Sequence, residues 1–454
     1  MLLVRIKNGM YSALYSSLTY IYLVVICILS CYYKQLTVHF SWDSFQYINL
    51  HLLDYFYEID ELRLPGYVAI VDLFQFLFKA PRFLEALVVF QTMLYLISIA
   101  FFFFTLEQVI RCKAIVVFTT IVYFSSPAIF AWNKAILTES LTLSLLAIFI
   151  YIFVSFLRKP AWQKMMLIAV VLILMILIRP SSLVFLLISI GFCFFKLLID
   201  KSNRHIYTMC SLIILIPPLL CCFYAYAFYQ QHGSFTLSNL VTKQQLYVAI
   251  DRGYYKDAHD SGLIRKIEEI KESDKWAAME FVYDLGQEQR DAFHDKVYQA
   301  NMKQYIEDTI KLALALNTIK FEPRVTLVND SYGYYGSQLA WEYYGFPSNT
   351  FLNTTIFSKY TGQLISDIFT WVNFLHVYFL CAIQFFIIIY RFFTKKTLEW
   401  IDSGIFIFIL AIILTTFFGT CAEWGRTAVC VLPFTYIGYA INVDRIFYRS
   451  IINY

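Results

Sequence analysis

Apolar runs of about twenty residues alternate with short polar connections along this chain, and one long polar stretch breaks the series. The runs fall at roughly 11–31, 83–104, 114–131, 137–157, 165–179, 181–199, 206–229, 364–390, 401–422 and 427–443. Each approaches the ~20 residues that a helix needs to cross the hydrocarbon of a bilayer, so the pattern predicts about ten spans. The first run shows no small-residue cleavage pattern and reads as a span rather than a signal peptide. One further apolar stretch, 67–78, is too short to settle by length.

The basic residues settle it. If 67–78 does not cross, then Arg5 and Lys7, Arg111 and Lys113, Arg158, Lys159 and Lys164, Lys201 and Arg204, Arg391, Lys395 and Lys396, and Arg445 and Arg449 all fall on one side. That side is cytoplasmic by the positive-inside rule, with both termini there. A crossing at 67–78 would put the clusters at 158–164, 201–204 and 391–396 outside. The stretch is therefore expected to lie in the interface.

The same alternation sends the polar residues at the other helix ends to the exoplasmic face: Asp43, Arg63, Glu139, Arg179, Glu423, Arg426 and the polar segment 230–360. Three regions follow: a transmembrane module over 1–229 whose first exoplasmic loop is 32–82, the exoplasmic segment 230–360, and C-terminal transmembrane helices over 361–454. Within the segment, 262–320 is charged and nearly free of helix breakers, which predicts a few amphipathic helices. The Tyr- and Gly-rich "NDSYGYYGSQLAWEYYGFPSNT" that follows reads as an irregular aromatic loop. Inspection finds no inverted repeat of the transporter kind.

Composition narrows the class. Of 454 residues, 59% are hydrophobic and 15% charged, which excludes a water-soluble globule. A net charge of +4, with the basic residues in short clusters between spans, argues against nucleic acid as a partner and for topology signals. All ten cysteines lie in or beside apolar runs, so the polar segment has no disulfide framework. The seven histidines are scattered, which leaves an oxygen-only site for a divalent cation, using Asp43 and Glu139, as the one metal arrangement open. Richness in Phe, Tyr, Ile and Lys points to an AT-rich bacterial genome, and so to the bacterial inner membrane with the site facing the periplasm.

Five stretches on the exoplasmic side come in order: "WDSFQYINL" with Asp43, "RLPGYVAI" from Arg63, "SPAIFAWNKAILTESL" reaching Glu139, "LIRPSSL" at Arg179, and "EWGRTAVCVLP" with Glu423 and Arg426. This order resembles the GT-C glycosyltransferases that use polyprenyl-phosphate sugars, the superfamily of the protein O-mannosyltransferases and the lipid A aminoarabinose transferase. The resemblance covers roughly 1–200 and 400–445. It implies an all-α polytopic membrane protein: a GT-C type bundle of about ten spans plus juxtamembrane helices, with a mainly helical exoplasmic segment. It assigns the catalytic carboxylate of the first loop to Asp43, and departs from the family at Ser44, where an acidic residue often stands. Arg63 to Tyr67 match the juxtamembrane helix, Glu139 the acidic start of the fourth span, and Arg179-Pro180 the Arg-Pro after the fifth.

The chemistry implied is transfer of a monosaccharide from a polyprenyl phosphate to a hydroxyl of a glycan, lipid or protein, with inversion. The leaving group is already a phosphate, so one base, Asp43, suffices to take the acceptor proton. Arginine forks suit the phosphate oxygens, which singles out Arg179, Arg426 and Arg63, with Tyr67, Glu139 and Glu423 as further substrate-binding candidates. Each has a plain structural alternative. Asp43 can cap a helix, the arginines can anchor at the interface, Glu139 can sit on its helix dipole, and Glu423 can pair with Arg426 within one turn. Lys134 reads as topological. Trp42, Phe45 and Tyr47 suit an interfacial belt or a sugar platform. Rival functions are an O-antigen polymerase or ligase type using diphosphate-linked oligosaccharides, and a lipid or glycan transporter, which would hold its charges at mid-membrane.

Overall fold

The computed structural model describes residues 16–27, 29, 38, 42–79, 82–125, 129, 131–258, 260–314, 380–390, 393–394, 400–419 and 429–452. The aromatic loop, most of the expected span 364–390, Glu423 and Arg426 lie outside them. Among the described residues the chain is all-α, with no β-strand.

Among the described residues, four helices are long and apolar enough to cross a membrane: Arg82–Val109, Glu139–Arg158, Pro180–Ile199 and Arg204–His232. Six apolar helices are shorter: Ser16–Cys27, Pro65–Leu77, Lys113–Phe124, Trp162–Ile178, Leu380–Tyr390 and Ser403–Thr415. We number the helices α1 (Ser16–Cys27), α2 (Trp42–Asn49), α3 (Pro65–Leu77), α4 (Arg82–Val109), α5 (Lys113–Phe124), α6 (Glu139–Arg158), α7 (Trp162–Ile178), α8 (Leu183–Ile199), α9 (Arg204–Ile214), α10 (Ile216–His232), α11 (Leu240–Arg252), α12 (Ser261–Ser273), α13 (Lys275–Tyr283), α14 (Gln287–Leu314), α15 (Leu380–Tyr390), α16 (Trp400–Gly419) and α17 (Leu432–Ile452).

Prolines set the breaks. Arg179 precedes Pro180, which disfavours a helical conformation at the residue before it, and Arg179 is indeed extended at φ −149°. The chain turns there through a short 3₁₀ segment into α8. The span expected over 206–229 is present as Arg204–His232, broken at Leu215 into α9 and α10, because Pro217 and Pro218 cannot donate to a helical ladder but suit a first turn. Within the run expected from 114 to 131, helix α5 ends at Phe124 with Ser125 as its cap. The Trp132–Lys134 stretch beyond it is a buried 3₁₀ turn.

The bundle runs up and down. The N–H of Cys112, after α4, donates at 2.9 Å to Asp444 in the second half of α17, so the end of α4 and the C-terminal half of α17 lie toward the same end of the bundle. The basic connections after α6 and α8 belong to the same end. The starts of α6, α8 and α17 and the ends of α5, α7 and α10 make the opposite one. Both ends of α3 stay at that opposite end. Its start packs on Leu177, while farther along Asp72 meets His51 at 3.0 Å and Gln75 donates to the carbonyl of Ile48. With Leu73, Phe76, Leu77 and Phe78 exposed beside Leu53, Phe56 and Tyr57, α3 has the apolar outer face of an interfacial helix.

Among the described residues two hydrophobic cores form. The larger is the bundle interior, where helices gain little from the hydrophobic effect and associate through close packing, as in the ring cluster of Phe149, Phe153, Phe185, Phe408 and Phe434. At Gly438 an added Cβ would stand 2.7 Å from a terminal methyl of Leu380, so the Leu380 side chain of α15 packs directly on the backbone of α17. The second core unites α11 to α14 around Leu246, Ile250, Ile267, Val282 and Val297. Of these, α12 to α14 fall in the charged stretch 262–320 expected to form helices, and Asp260 caps α12 by accepting from the N–H of Leu263.

Candidate functional site

Helix α2 places Asp43, Gln46 and Tyr47 three and four residues apart, hence on one face. All three meet one arginine. Arg63 donates from Nη2 to Asp43 Oδ1 at 2.5 Å, from Nε to Gln46 Oε1 at 2.7 Å and from Nη1 to the Tyr47 hydroxyl at 3.3 Å. Its guanidinium also lies 5.0 Å from the Tyr47 ring centre. The backbone of Arg63 is fixed as well: its N–H donates to Asp60 and its carbonyl accepts from Tyr55.

The next residues explain the Arg-Leu-Pro-Gly-Tyr motif. Leu64 is extended, as a residue before proline prefers, and Pro65 occupies the first turn of α3. At Gly66 a Cβ would stand 2.6 Å from the backbone carbonyl of Leu177, so α3 lies directly on the end of α7, two residues before Arg179. Tyr67 is fully buried, its ring edge-on to Tyr47 at 4.9 Å. Its hydroxyl donates to Gln91 Oε1 at 3.0 Å, and the Gln91 amide donates in turn to the carbonyls of Asn133 and Ala135. Burial, then the nearby Tyr47 and Glu139, push the Tyr67 phenol well above its ordinary range.

Glu139, in the first turn of α6, is inaccessible to solvent, and its Oε1 accepts from Arg179 Nη1 at 3.1 Å. Cys430, from the 3₁₀ turn before α17, lies close enough to feel both charges. Four of the sequence-derived candidates thus form two arginine–carboxylate pairs at one end of the bundle, with Tyr67 between them. Two expectations change. Tyr47 is buried with its face under Arg63, so it is no open sugar platform, while Phe45 remains exposed. Asp43 and Glu139 each bond to a guanidinium of their own, so the oxygen-only cation site that would use both is not assembled in this arrangement. Among the described residues no three His, Cys, Asp or Glu side chains gather in a metal-binding group.

Three further features complete the site; of these, the sequence singles out only Lys134, which reads there as topological. Gln46 and Gln91 organise the site, and a glutamine inside an apolar run was the available signal for the second. Lys134 is buried beside the site loop, and burial lowers its ammonium to about 8. An apolar cavity of about 220 Å³ opens beside Leu64 and Leu177, with Ile176, Pro217, Leu220, Tyr224 and Leu237 on its walls.

No family model matches this chain, and no curated protein does. Among solved structures, the chain is similar to the archaeal oligosaccharyltransferase AglB from Archaeoglobus fulgidus, in complex with an inhibitory peptide and a dolichol-phosphate. The identity is 13% and the TM-score 0.47, over 96% of this chain and 51% of that one, so the chain spans about half the length of that protein.

Proposed function

We propose that this integral membrane protein is an inverting glycosyltransferase of the GT-C type, which moves a monosaccharide from a polyprenyl phosphate to a hydroxyl of a glycan, lipid or protein acceptor. The reaction takes place at the exoplasmic, periplasmic face of a bacterial inner membrane. The observation that carries the reading is the gathering of Asp43, Arg63, Glu139 and Arg179 at the bundle end opposite the basic connections, beside an apolar cavity.

A donor with an ionic head and a hydrocarbon tail fits such a place. The tail enters the cavity beside Leu64 and Leu177, and the phosphate reaches the forks of Arg63 and Arg179. Asp43, as a carboxylate, accepts the proton of the acceptor hydroxyl while that oxygen attacks the anomeric carbon. The bond from that carbon to the phosphate oxygen breaks, the electron pair leaves with the lipid phosphate, and configuration inverts. Arg63 and Arg179 stabilise the charge gathering on the leaving oxygens. Both guanidiniums touch carboxylates, so phosphate binding is an exchange or sharing of partners. A transporter would hold its ionic groups along a path through the membrane, whereas these pairs sit at helix ends.

The test compares glycolipids and glycans, by mass, in cells with and without the protein and in cells carrying Asp43→Asn. Loss of one sugar-bearing species in the deletion, with turnover in Asp43→Asn lowered by the ~10²–10⁴ typical of a missing general base, is the expected result. An unchanged profile in both would end the reading.

A further inference from the structure

The segment 59–63, which delivers Arg63 to the site, belongs to no helix and is held by side chains from elsewhere in the chain. At its start, the N–H of Ile59 donates to Gln231 Oε1 at 2.7 Å and the Ile59 carbonyl accepts from His232 Nε2 at 2.6 Å. Two residues on, Glu61 is gripped by the polar helices. Its Oε2 accepts from the Tyr283 hydroxyl at 2.7 Å, from Arg290 Nη1 at 3.4 Å and from Asn239 Nδ2 at 3.5 Å, and its Oε1 lies 3.6 Å from His232 Nδ1. The Glu61 carbonyl accepts from the N–H of Asn239 at 2.7 Å. Arg290 is itself buried, and its guanidinium stands 4.9 Å from the Tyr283 ring centre.

Glu61 is thus a socket into which α13, α14 and the start of α11 plug, and Arg63 is two residues away along the same bend, which Asp60 closes by accepting from the N–H groups of Leu62 and Arg63. Two residues span at most about 7 Å, so a shift of Glu61 reaches Arg63 almost undiminished. The Arg63 fork makes three directed bonds to α2, each lost by a displacement of about 1 Å.

We propose that Glu61 is a positioning residue through which the polar helical module holds Arg63 against Asp43, so that seating of the module decides whether the anion-binding end is assembled. The consequence for phosphate rests on the function proposed above; the coupling between module and Arg63 does not.

The test is amide hydrogen exchange on the purified full chain without ligand, in the parent, Glu61→Gln and Arg290→Met. The reporters are the N–H groups of Leu62 and Arg63, both donated to Asp60, with those of Ile250, Val282 and Val297 as a control for the module's own fold. Exchange at Leu62 and Arg63 should rise roughly ten-fold or more, the factor that loss of one charge-assisted hydrogen bond gives, while the control amides keep their protection. Unchanged exchange at Leu62 and Arg63 would overturn the proposal, and so would equal loss at the control amides, which would make Glu61 a merely structural residue. Binding of a polyprenyl phosphate, measured in parallel, should weaken in both variants. If the parent binds none while the exchange result holds, the donor assignment fails and the coupling stands.

Discussion

Replacing Gly66 by alanine tests the contact that sets α3 on the end of α7. The new Cβ would come 2.6 Å from both the carbonyl carbon and oxygen of Leu177 and 2.9 Å from the N of Ile178. These are backbone atoms, so no side chain can swing away. Ordinary contact begins near 3.4 Å, hence the two helices must part by about 0.8 Å at this point. Gly66 stands in the first turn of α3, so alanine gains less there than the about 1 kcal/mol it has over glycine in a helix interior, while overpacking of this kind costs about 1–3 kcal/mol. The net effect on stability is a loss of up to about 3 kcal/mol. The effect on the site should be larger, because a displacement of about 1 Å between Arg63 and Arg179 can cost ~10² in rate. Unfolding of the purified protein in lipid nanodiscs, with binding of a polyprenyl phosphate alongside, measures both. Gly404→Ala is the control, since nothing lies within 4 Å of that Cβ, and it should gain about 1 kcal/mol. If Gly66→Ala is stabilised as much as the control and binds the lipid like the parent, the close approach is wrong.

Two further outcomes follow from the ion pairs. Glu139→Gln or Arg179→Met alone leaves one buried partner uncompensated and should cost about 3–5 kcal/mol, while the double variant Glu139→Gln/Arg179→Met should recover much of that in the same unfolding assay; equal or additive losses would show that the two do not act as a pair. Docking of the polar module should be acid-sensitive. Burial opposes ionisation of Glu61, but the Tyr283 hydrogen bond, Arg290, Asn239 and His232 together hold its carboxyl below the ordinary value of a glutamate, 4.5. Its contribution is therefore complete above pH 4.5 and is lost as pH falls through the lowered value, so exchange at Leu62 should accelerate below that range in the parent but not in Glu61→Gln.

Much of this arrangement was legible because apolar periodicity and proline placement act locally. Basic clusters alone kept 67–78 out of the spans, and α3 keeps both its ends at one end of the bundle. Arg179 could be placed because Pro180 fixes where α7 ends. What escaped depends on long-range pairing. Nothing in sequence spacing joins Glu61 to Tyr283 and Arg290, more than two hundred residues away, because such pairing depends on how α10 and α11 turn. Nor does a lone Asp43 reveal that its partner is Arg63, since any of several arginines at that end could have reached it. The turn at Trp132–Lys134 was legible only as a connection between two spans, and its burial was not, because it depends on Gln91, whose amide donates to the carbonyls of Asn133 and Ala135 from another helix.

The central claim is that Arg63 and Arg179 hold a lipid-borne phosphate at the end of the bundle. Affinity of the purified protein for a polyprenyl phosphate, set against the neutral polyprenol and repeated with Arg63→Lys and Arg179→Lys, tests it most directly. A planar fork that donates two parallel hydrogen bonds is poorly replaced by an ammonium of the same charge, so the phosphate should bind to the parent, the polyprenol should bind far more weakly, and each lysine variant should lose roughly ten-fold or more in affinity with its folding intact. Equal binding of phosphate by the parent and both variants, or equal binding of polyprenol and its phosphate, would contradict it.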